Sequence, residues 1–294
     1  MFAFERVLAP IDLRGDFEKR AQYALDIAAA LEAELTLLHV VNSRRLGKRN
    51  SGLSWPECAM TRTNPPCVVH RAVVHGEVPA AVARYAAFVD ASLIVLGAGR
   101  HAHWTNLWRR SMIEKIAAAT GKPVLSGSTA WGRPARLKPS PRILCMLGLT
   151  GEDRALAEYA QSLAEQSGGD LVLYAAVPPG SGGPSLGKPE ESARPLAADA
   201  AMDRLNSLGA SLRVPNRSVV GTRASHSGLR GVIRQNDVDV VVALRSHHEG
   251  IPGVGFEFGA LLRNVSCPLM SITTHTLAAT AIAKAESEAV VLAK

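Results

Sequence analysis

Asp12, Gly97, Gly99, Arg100, Arg110 and Ser111 are the residues of this 294-residue chain whose types and spacing suit a ligand site, the last five of them for an anion. Asp12 follows Ala9-Pro10-Ile11 at the end of one apolar run. Gly97-Ala-Gly99-Arg100 follows another, Leu93–Leu96, and Arg110-Ser111 stands before a segment of helical pattern. A glycine loop leading to a helix N-terminus can cradle a phosphate. Bare backbone N–H groups approach it closely there, and the helix dipole favours negative charge. Each residue also has a plainer reading. Ser111-Met-Ile-Glu114 fits a capping box, so Ser111 is a helix cap, a ligand contact or both. The glycines either admit a ligand or only shape a tight turn. Arg100, Arg109 and Arg110 form either a phosphate clamp or a solvated basic rim.

The elements that must position these residues alternate between strand and helix. Val7–Leu13 is a short apolar run. Phe17–Glu32 carries Ala21, Ala24, Leu25, Ile27, Ala28 and Leu31 at helical spacing behind a candidate cap, Asp16. Leu35–Val41 is continuously apolar, as buried parallel strands are. Residues 43–66 read as a long basic loop, Val68–Val74 as a strand and Pro79–Val89 as a helix with proline in its first turn. Leu93–Leu96 is a strand, 97–110 a loop, Ser111–Thr120 a helix ended by Gly121 and Pro123, and Val124–Ser126 a last strand. Such alternation implies a mainly parallel sheet with helices on both faces. Ligands of these sheets bind beyond the carboxyl ends of the strands, where the strand order reverses. Pro10-Ile11-Asp12, Val41 and the segment from Gly97 to Ser111 are expected to converge there.

The pattern occurs twice. Arg6-Val-Leu-Ala-Pro-Ile-Asp12-Leu returns as Arg142-Ile-Leu-Cys-Met-Leu-Gly148-Leu, and Ala33-Glu-Leu-Thr-Leu-Leu-His-Val-Val41 as Gly169-Asp-Leu-Val-Leu-Tyr-Ala-Ala-Val177. Ser92-Leu-Ile-Val-Leu96 returns as Asp239-Val-Val-Val-Ala243, and Gly121-Lys-Pro-Val-Leu-Ser126 as Ser266-Cys-Pro-Leu-Met-Ser271. A unit of this length is a whole domain, not a solenoid repeat. The division read from it is a first domain over 1–127, a linker over 128–141, a second domain over 142–276 and a tail over 277–294. The linker carries Gly132, Pro134, Pro139 and Pro141. The second copy holds an insertion within Val177–Pro215, with a helix near Pro195–Leu208.

Composition narrows the function classes. The chain is 47% apolar and 20% charged, which suits a globular protein, and no apolar run reaches the roughly 18 residues of a membrane span. No signal-peptide pattern opens the chain, and four cysteines are too few for a disulfide scaffold. A cytoplasmic setting is therefore expected. Cys145 and Cys267 read as small buried hydrophobes. The net charge of +7 permits an anionic partner. Aromatics make up only 5% and are not interleaved with the basic clusters, so a nucleic-acid platform is not expected. His101, His103, His247, His248, Cys58, Cys67, His70 and His75 lack zinc-ligand spacing, and no metal is expected. Walker and nucleophile-elbow patterns do not occur.

The element order, the Ala-Pro-Ile-Asp12 strand end, Leu-Ile-Val-Leu-Gly97 with its long loop to Ser111, and Lys-Pro-Val-Leu together resemble the universal stress protein family. The resemblance spans nearly the whole chain, twice. It implies two tandem doubly wound, Rossmann-like domains of the adenine nucleotide alpha hydrolase type, each a mostly parallel five-stranded sheet. It also implies pairing of the halves through the final strands and self-association through sheet edges. Nucleotide-binding members of the family carry Gly-x-x-Gly, nine residues, then Gly-Ser/Thr, and hold ATP on it. Gly97 and Ser111 keep the first and last positions of that pattern, while Arg100 and Arg110 replace its other glycines. Asp12 is then either a contact on the ribose or adenine side or a solvated turn carboxylate. In the second copy Gly148 stands for Asp12, Leu244 for Gly97, about His247 for Arg100 and Phe256 for the hydroxyl, although Gly255 is retained.

Pro10, Asp12, Val41, Gly97, Gly99, Arg100, Arg110 and Ser111 are thus the residues expected to hold ATP, another adenine nucleotide or another anion. The leading expectation is a stress-response binding or signalling module with a degenerate nucleotide site in the first domain and none in the second. The alternative is an ATP-binding protein with slow phosphohydrolase turnover through the first domain. A third reading is a partner-binding protein that uses Arg44, Arg45, Lys48 and Arg49 against an acidic surface.

Overall fold

A computed structural model describes residues 4–13, 17–41, 66–97, 105–127, 138, 140–177, 193–221, 225–245, 261–262 and 264–282, without the side chains of 105–111 and 193–196. The chain separates into two compact units, Phe4–Leu137 and Lys138–Lys294.

In the first unit the elements are β1 (Arg6–Pro10), α1 (Phe17–Ala30), β2 (Glu34–Val41), β3 (Val69–His75), α2 (Val78–Phe88), β4 (Leu93–Leu96), α3 (Thr105–Thr120) and β5 (Val124–Ser126). In the second they are β6 (Arg142–Leu147), α4 (Asp153–Ser167), β7 (Asp170–Ala176), α5 (Ala193–Ala210), β8 (Asn216–Gly221), α6 (His226–Gln235), β9 (Val240–Arg245) and β10 (Leu269–Thr273). Residues 274–282 are helical as well.

The first unit's strands run in the order β3-β2-β1-β4-β5 and the second's in the order β10-β9-β6-β7-β8. The described pairings within each unit are all parallel. Strand order therefore reverses beside β1 in one unit and beside β6 in the other, which opens a crevice at the carboxyl ends of β1 and β4 and of β6 and β9. All four residues of β4 are buried, as are the central five of β2, because helices cover both faces. β3, at the end of the order, has only half-buried and exposed residues.

The two units have matching strand registers. Arg6 pairs with Glu34 as Arg142 pairs with Asp170, and Val7 pairs with Leu93 as Ile143 pairs with Val240. The amino ends of the sheets are tied alike. Arg6 Nη2 donates to Asp90 Oδ2 at 2.6 Å and its Nε to the Asp90 carbonyl at 3.0 Å. Arg142 Nε donates to Asp170 Oδ2 at 3.2 Å and its Nη1 to the Asn236 carbonyl at 2.9 Å. Lys122 first, then Arg6, holds the Asp90 carboxyl below its ordinary value. Asp90 and Asp237 end α2 and α6 with the same left-handed φ of 45°. There the Ala91 and Val238 amides close on the carbonyls of Ala86 and Ile233 at 2.8 and 2.9 Å.

Two expectations shift. β1 stops at Pro10, so Ile11, Asp12 and Leu13 form the turn, not the strand end, although the Ile11 amide still reaches the Leu38 carbonyl at 2.8 Å. The helix expected from Ser111 begins six residues earlier, at Thr105. Residues 105–110 contain neither glycine nor proline. Arg110, standing where the family pattern has a glycine, is a good helix former, so nothing breaks the helix before Ser111. Ser111 is therefore an interior residue of α3 and not its cap.

Candidate functional site

The candidate site lies at the crevice beyond β1 and β4, and four expected residues have described surroundings there. Pro10 closes β1, paired with Leu38. Asp12 is exposed in the turn that follows. Val41 ends β2 on the other side of β1. Its side chain is buried and its carbonyl accepts the Gly76 amide at 3.1 Å. Gly97 is the residue after β4, and it too is buried.

Asp12 and Gly97 are brought together by a residue with no motif signature, Arg20 on α1. Its Nη2 donates to the Asp12 carbonyl at 2.7 Å. Its stem lies against Gly97 so closely that a Cβ on Gly97 would stand 3.0 Å from the Arg20 Cβ and 3.1 Å from its Cα. Such separations are tighter than most Cβ contacts, so a side chain at 97 would need α1 to give by a few tenths of an ångström. One signal in sequence points to Arg20. It lies on the same helical face as Ala24 and Ile27, a charged group one turn before two buried ones.

His39 supports the same turn from the other side. It is buried on β2, and its Nδ1 lies 2.9 Å from the Ile11 carbonyl. A carbonyl can only accept, so Nδ1 carries the proton. The bond fixes the peptide just before Asp12.

Gly99 and Arg100 lie outside the described residues, as do His101, His103, His247, His248, Gly255, Phe256 and the basic loop 43–50. Arg110 and Ser111 are described only as backbone within α3. As the seventh residue of that helix, Ser111 has its amide committed to the carbonyl four residues back, and the open helical amides belong to the turn starting at Thr105.

The second unit builds the equivalent crevice from other groups. Leu244 stands at the position of Gly97 and Leu156 at that of Arg20, and both are buried. Ala175 replaces His39. Gly148 replaces Asp12, and its amide donates at 3.0 Å to a carboxylate of this unit, Asp153 Oδ1, at the start of α4. Arg204 Nη2 is 3.9 Å from Asp153 Oδ2 and donates to the Thr150 carbonyl at 2.7 Å. Asp153 is buried, and burial pushes its carboxyl above the ordinary 3.8 although the Gly148 amide and Arg204 pull it down. Burial and then Asp153 push up the thiol of Cys145 on β6. Cys267 is buried too, its thiol pushed up to about 12. Among the described residues no group of three or more His, Cys, Asp or Glu is placed to hold a metal ion, and no helix is long and apolar enough to cross a membrane.

Two outcomes follow from this packing. Gly97→Ala is expected to lower the unfolding free energy by about 1–3 kcal/mol, because Arg20 and its helix must give way. Urea unfolding measures it, and an unchanged midpoint would show that α1 does not press on Gly97. Asp153 gives a pH dependence. Its folded-state value is raised, so the stability this group contributes is fully present below pH 3.8 and is lost as pH rises through the folded-state value. Asp153→Asn does not suffer that loss. The melting temperature of the variant relative to the parent is expected to climb from pH 3.8 toward neutrality. A flat difference would mean that the carboxylate is not desolvated.

Residues 3–126 match the model of the universal stress protein family. No curated protein matches the chain in sequence. Solved structures share its fold along most of its length. A universal stress protein from Archaeoglobus fulgidus has a TM-score of 0.62 at 16% identity, over 92% of this chain and 99% of its own. A putative universal stress protein from Pseudomonas aeruginosa has a TM-score of 0.59 at 16% identity, over 94% and 96%. A functionally unknown protein from the same species has a TM-score of 0.60 at 16% identity, over 94% and 95%. At these identities the structures establish the fold, a Rossmann-type α/β arrangement. The family likeness comes from the sequence match, which spans residues 3–126.

Proposed function

We propose that this chain is a stress-response binding module that takes an adenine nucleotide, or another anion of that kind, in the first unit and carries no equivalent site in the second. The observation that carries the reading is the contrast at matched positions. The first crevice presents an exposed carboxylate at Asp12 and a guanidinium at Arg20, beside a glycine packed closely against the Arg20 stem. A carboxylate is suited to ribose hydroxyls and a guanidinium to phosphate oxygens. The second crevice presents Leu156 and Leu244, and its turn amide already serves the internal carboxylate Asp153. The residues expected around the ligand are Pro10, Asp12, Val41, Gly97, Gly99, Arg100, Arg110 and Ser111, with Arg20 added.

The site departs from the family pattern, and affinity is expected to be modest. α3 runs on through Arg110 and Ser111, so the amides that a Gly-Ser turn would offer a phosphate are bonded within the helix. Side-chain cations must then do what bare backbone does in the pattern.

Titration calorimetry with ATP is expected to give at most one site per chain. Asp12→Ala should weaken it by about tenfold, about 1.4 kcal/mol, and Asp153→Asn should leave it unchanged. Two equivalent sites per chain would contradict the assignment, and no heat with any adenine nucleotide would remove the nucleotide reading.

A further inference from the structure

We propose that the outer edge of β3 is a docking site for an extended, acidic segment of a partner protein, taken up as an added strand on the first unit's sheet. The proposal is independent of the nucleotide reading.

β3 ends its unit's strand order, so one of its edges meets β2 and no described strand meets the other. The Val68 carbonyl accepts the Leu35 amide at 2.8 Å, and the Gly76 amide donates to the Val41 carbonyl at 3.1 Å. The even-numbered residues between them therefore turn their peptide groups to β2, while Val69, Arg71, Val73 and His75 turn theirs outward. The side chains divide in the same way. Ala72 and Val74 pack with Val82, Ala86 and Tyr85 of α2. Arg71, Val73 and His75 stand on the other face, exposed. A row of outward peptide groups is a template for one more strand.

Two contrasts with the second unit set this edge apart. Leu37 pairs with Arg71 as Leu173 pairs with Ser218, so Arg71 and Val73 correspond to Ser218 and Val220 of β8. There α5 lies over the face in question. Asn216 Nδ2 donates to the Gly209 carbonyl at 3.0 Å, and a Cβ on Gly209 would stand 3.4 Å from Leu173 Cδ1. Ser218 and Val220 are accordingly half-buried. The second contrast is at the end of α2, where Phe88 is 82% exposed, its ring centre 5.8 Å from that of Tyr85. α2 runs back to the amino end of β3, where Val68 is 56% exposed. In α6 the residue at the position of Phe88 is Gln235. The first unit alone thus combines an open edge, a bare basic face and an exposed aromatic ring.

The chemistry of the edge chooses its occupant. An added strand carries alternate side chains to the two faces. One set meets Arg71 and His75, neither of them ion-paired among the described residues, and carboxylates suit it. The other set runs beside Val68, Tyr85 and Phe88, and apolar residues suit it. A second copy of this chain fits poorly. Antiparallel pairing of two β3 edges would bring the basic side chains of both copies onto one face, where like charges repel. A nucleic acid offers no strand backbone to pair with the edge.

The test uses the full chain and a soluble peptide of alternating glutamate and valine. A lysine–valine peptide and a single-stranded oligonucleotide serve as comparisons. Binding is followed by fluorescence anisotropy and by amide hydrogen exchange read by NMR. The acidic peptide is expected to bind, less tightly as salt rises, and to slow exchange at Arg71, Val73 and His75. Arg71→Glu should weaken it by about tenfold. Val73→Pro removes an outward amide and no bond to β2, and should abolish binding. Arg230→Glu, an equal change of charge on the exposed side of α6, should leave binding unchanged. The proposal is overturned if the parent does not bind the peptide, or if binding survives both β3 variants. It is also overturned if Arg230→Glu weakens binding as much as Arg71→Glu does, or if the lysine–valine peptide binds equally well. An oligonucleotide that slows exchange at the same amides would make the partner a nucleic acid, and a dimer split by Val73→Pro in sedimentation would make it a second copy. Either result overturns the proposal. If Val73→Pro does not fold, Arg71→Glu and the exchange at the three outward amides decide.

Discussion

The close approach of α1 to the end of β4 is the constraint around which the first unit is arranged. Gly97 lies so near the stem of Arg20 that a Cβ there would come within 3.0 Å of it. A parallel sheet whose strand order reverses beside β1 must lay the first helix across that reversal, and the helix can settle only as deep as the residue after β4 allows. With glycine there, Arg20 passes over the strand end, reaches the Asp12 carbonyl and carries a charge into the crevice. His39, buried one strand away, holds the preceding peptide through the Ile11 carbonyl. The turn that carries Asp12 is thus fixed from both sides before any ligand arrives.

The second unit solves the same geometric problem without a charge to present. Buried leucines, Leu156 and Leu244, stand at the matching positions, and its turn amide at Gly148 is satisfied by Asp153 from the first turn of α4. A carboxylate at a helix N-terminus is electrostatically favoured, yet here burial outweighs that gain and leaves its proton held more tightly than usual. The two units therefore share register and helix endings while their crevices have opposite character. One exposes a carboxylate beside a half-buried arginine, and the other turns its carboxylate inward upon its own backbone. Duplication of a fold does not oblige duplication of its site, because sheet register depends on apolar strands and helix ends. The character of the crevice depends on a handful of positions at the strand ends.

Much of the fold was legible in the sequence. The apolar runs Leu93–Leu96 and Leu35–Val41 and the helical stripe of α1 are set by local periodicity. The start of α3 was not legible from a motif. The Ser111-x-x-Glu114 pattern suggests a cap, but Arg110 is a helix former where a glycine would have broken the chain. Arg20, His39 and Asp153 escaped because their roles are set by contacts with distant segments, which spacing does not encode. A trace of two of them existed. Arg20 and Asp153 are both charged residues on the buried face of the first helix of their unit, in line with Ala24 and Ile27 and with Leu156 and Ala157. A charge on a core-facing stripe, one turn ahead of its first apolar residue, marks a side chain aimed at the strand ends.

The central claim is that the two crevices, alike in fold, differ in what they can hold. Photo-crosslinking with an azido-adenine nucleotide, followed by mass spectrometry of the labelled peptides, tests it most directly. Competable label confined to peptides within residues 1–127 is the predicted result. Equal competable labelling of peptides from residues 142–276 would contradict it.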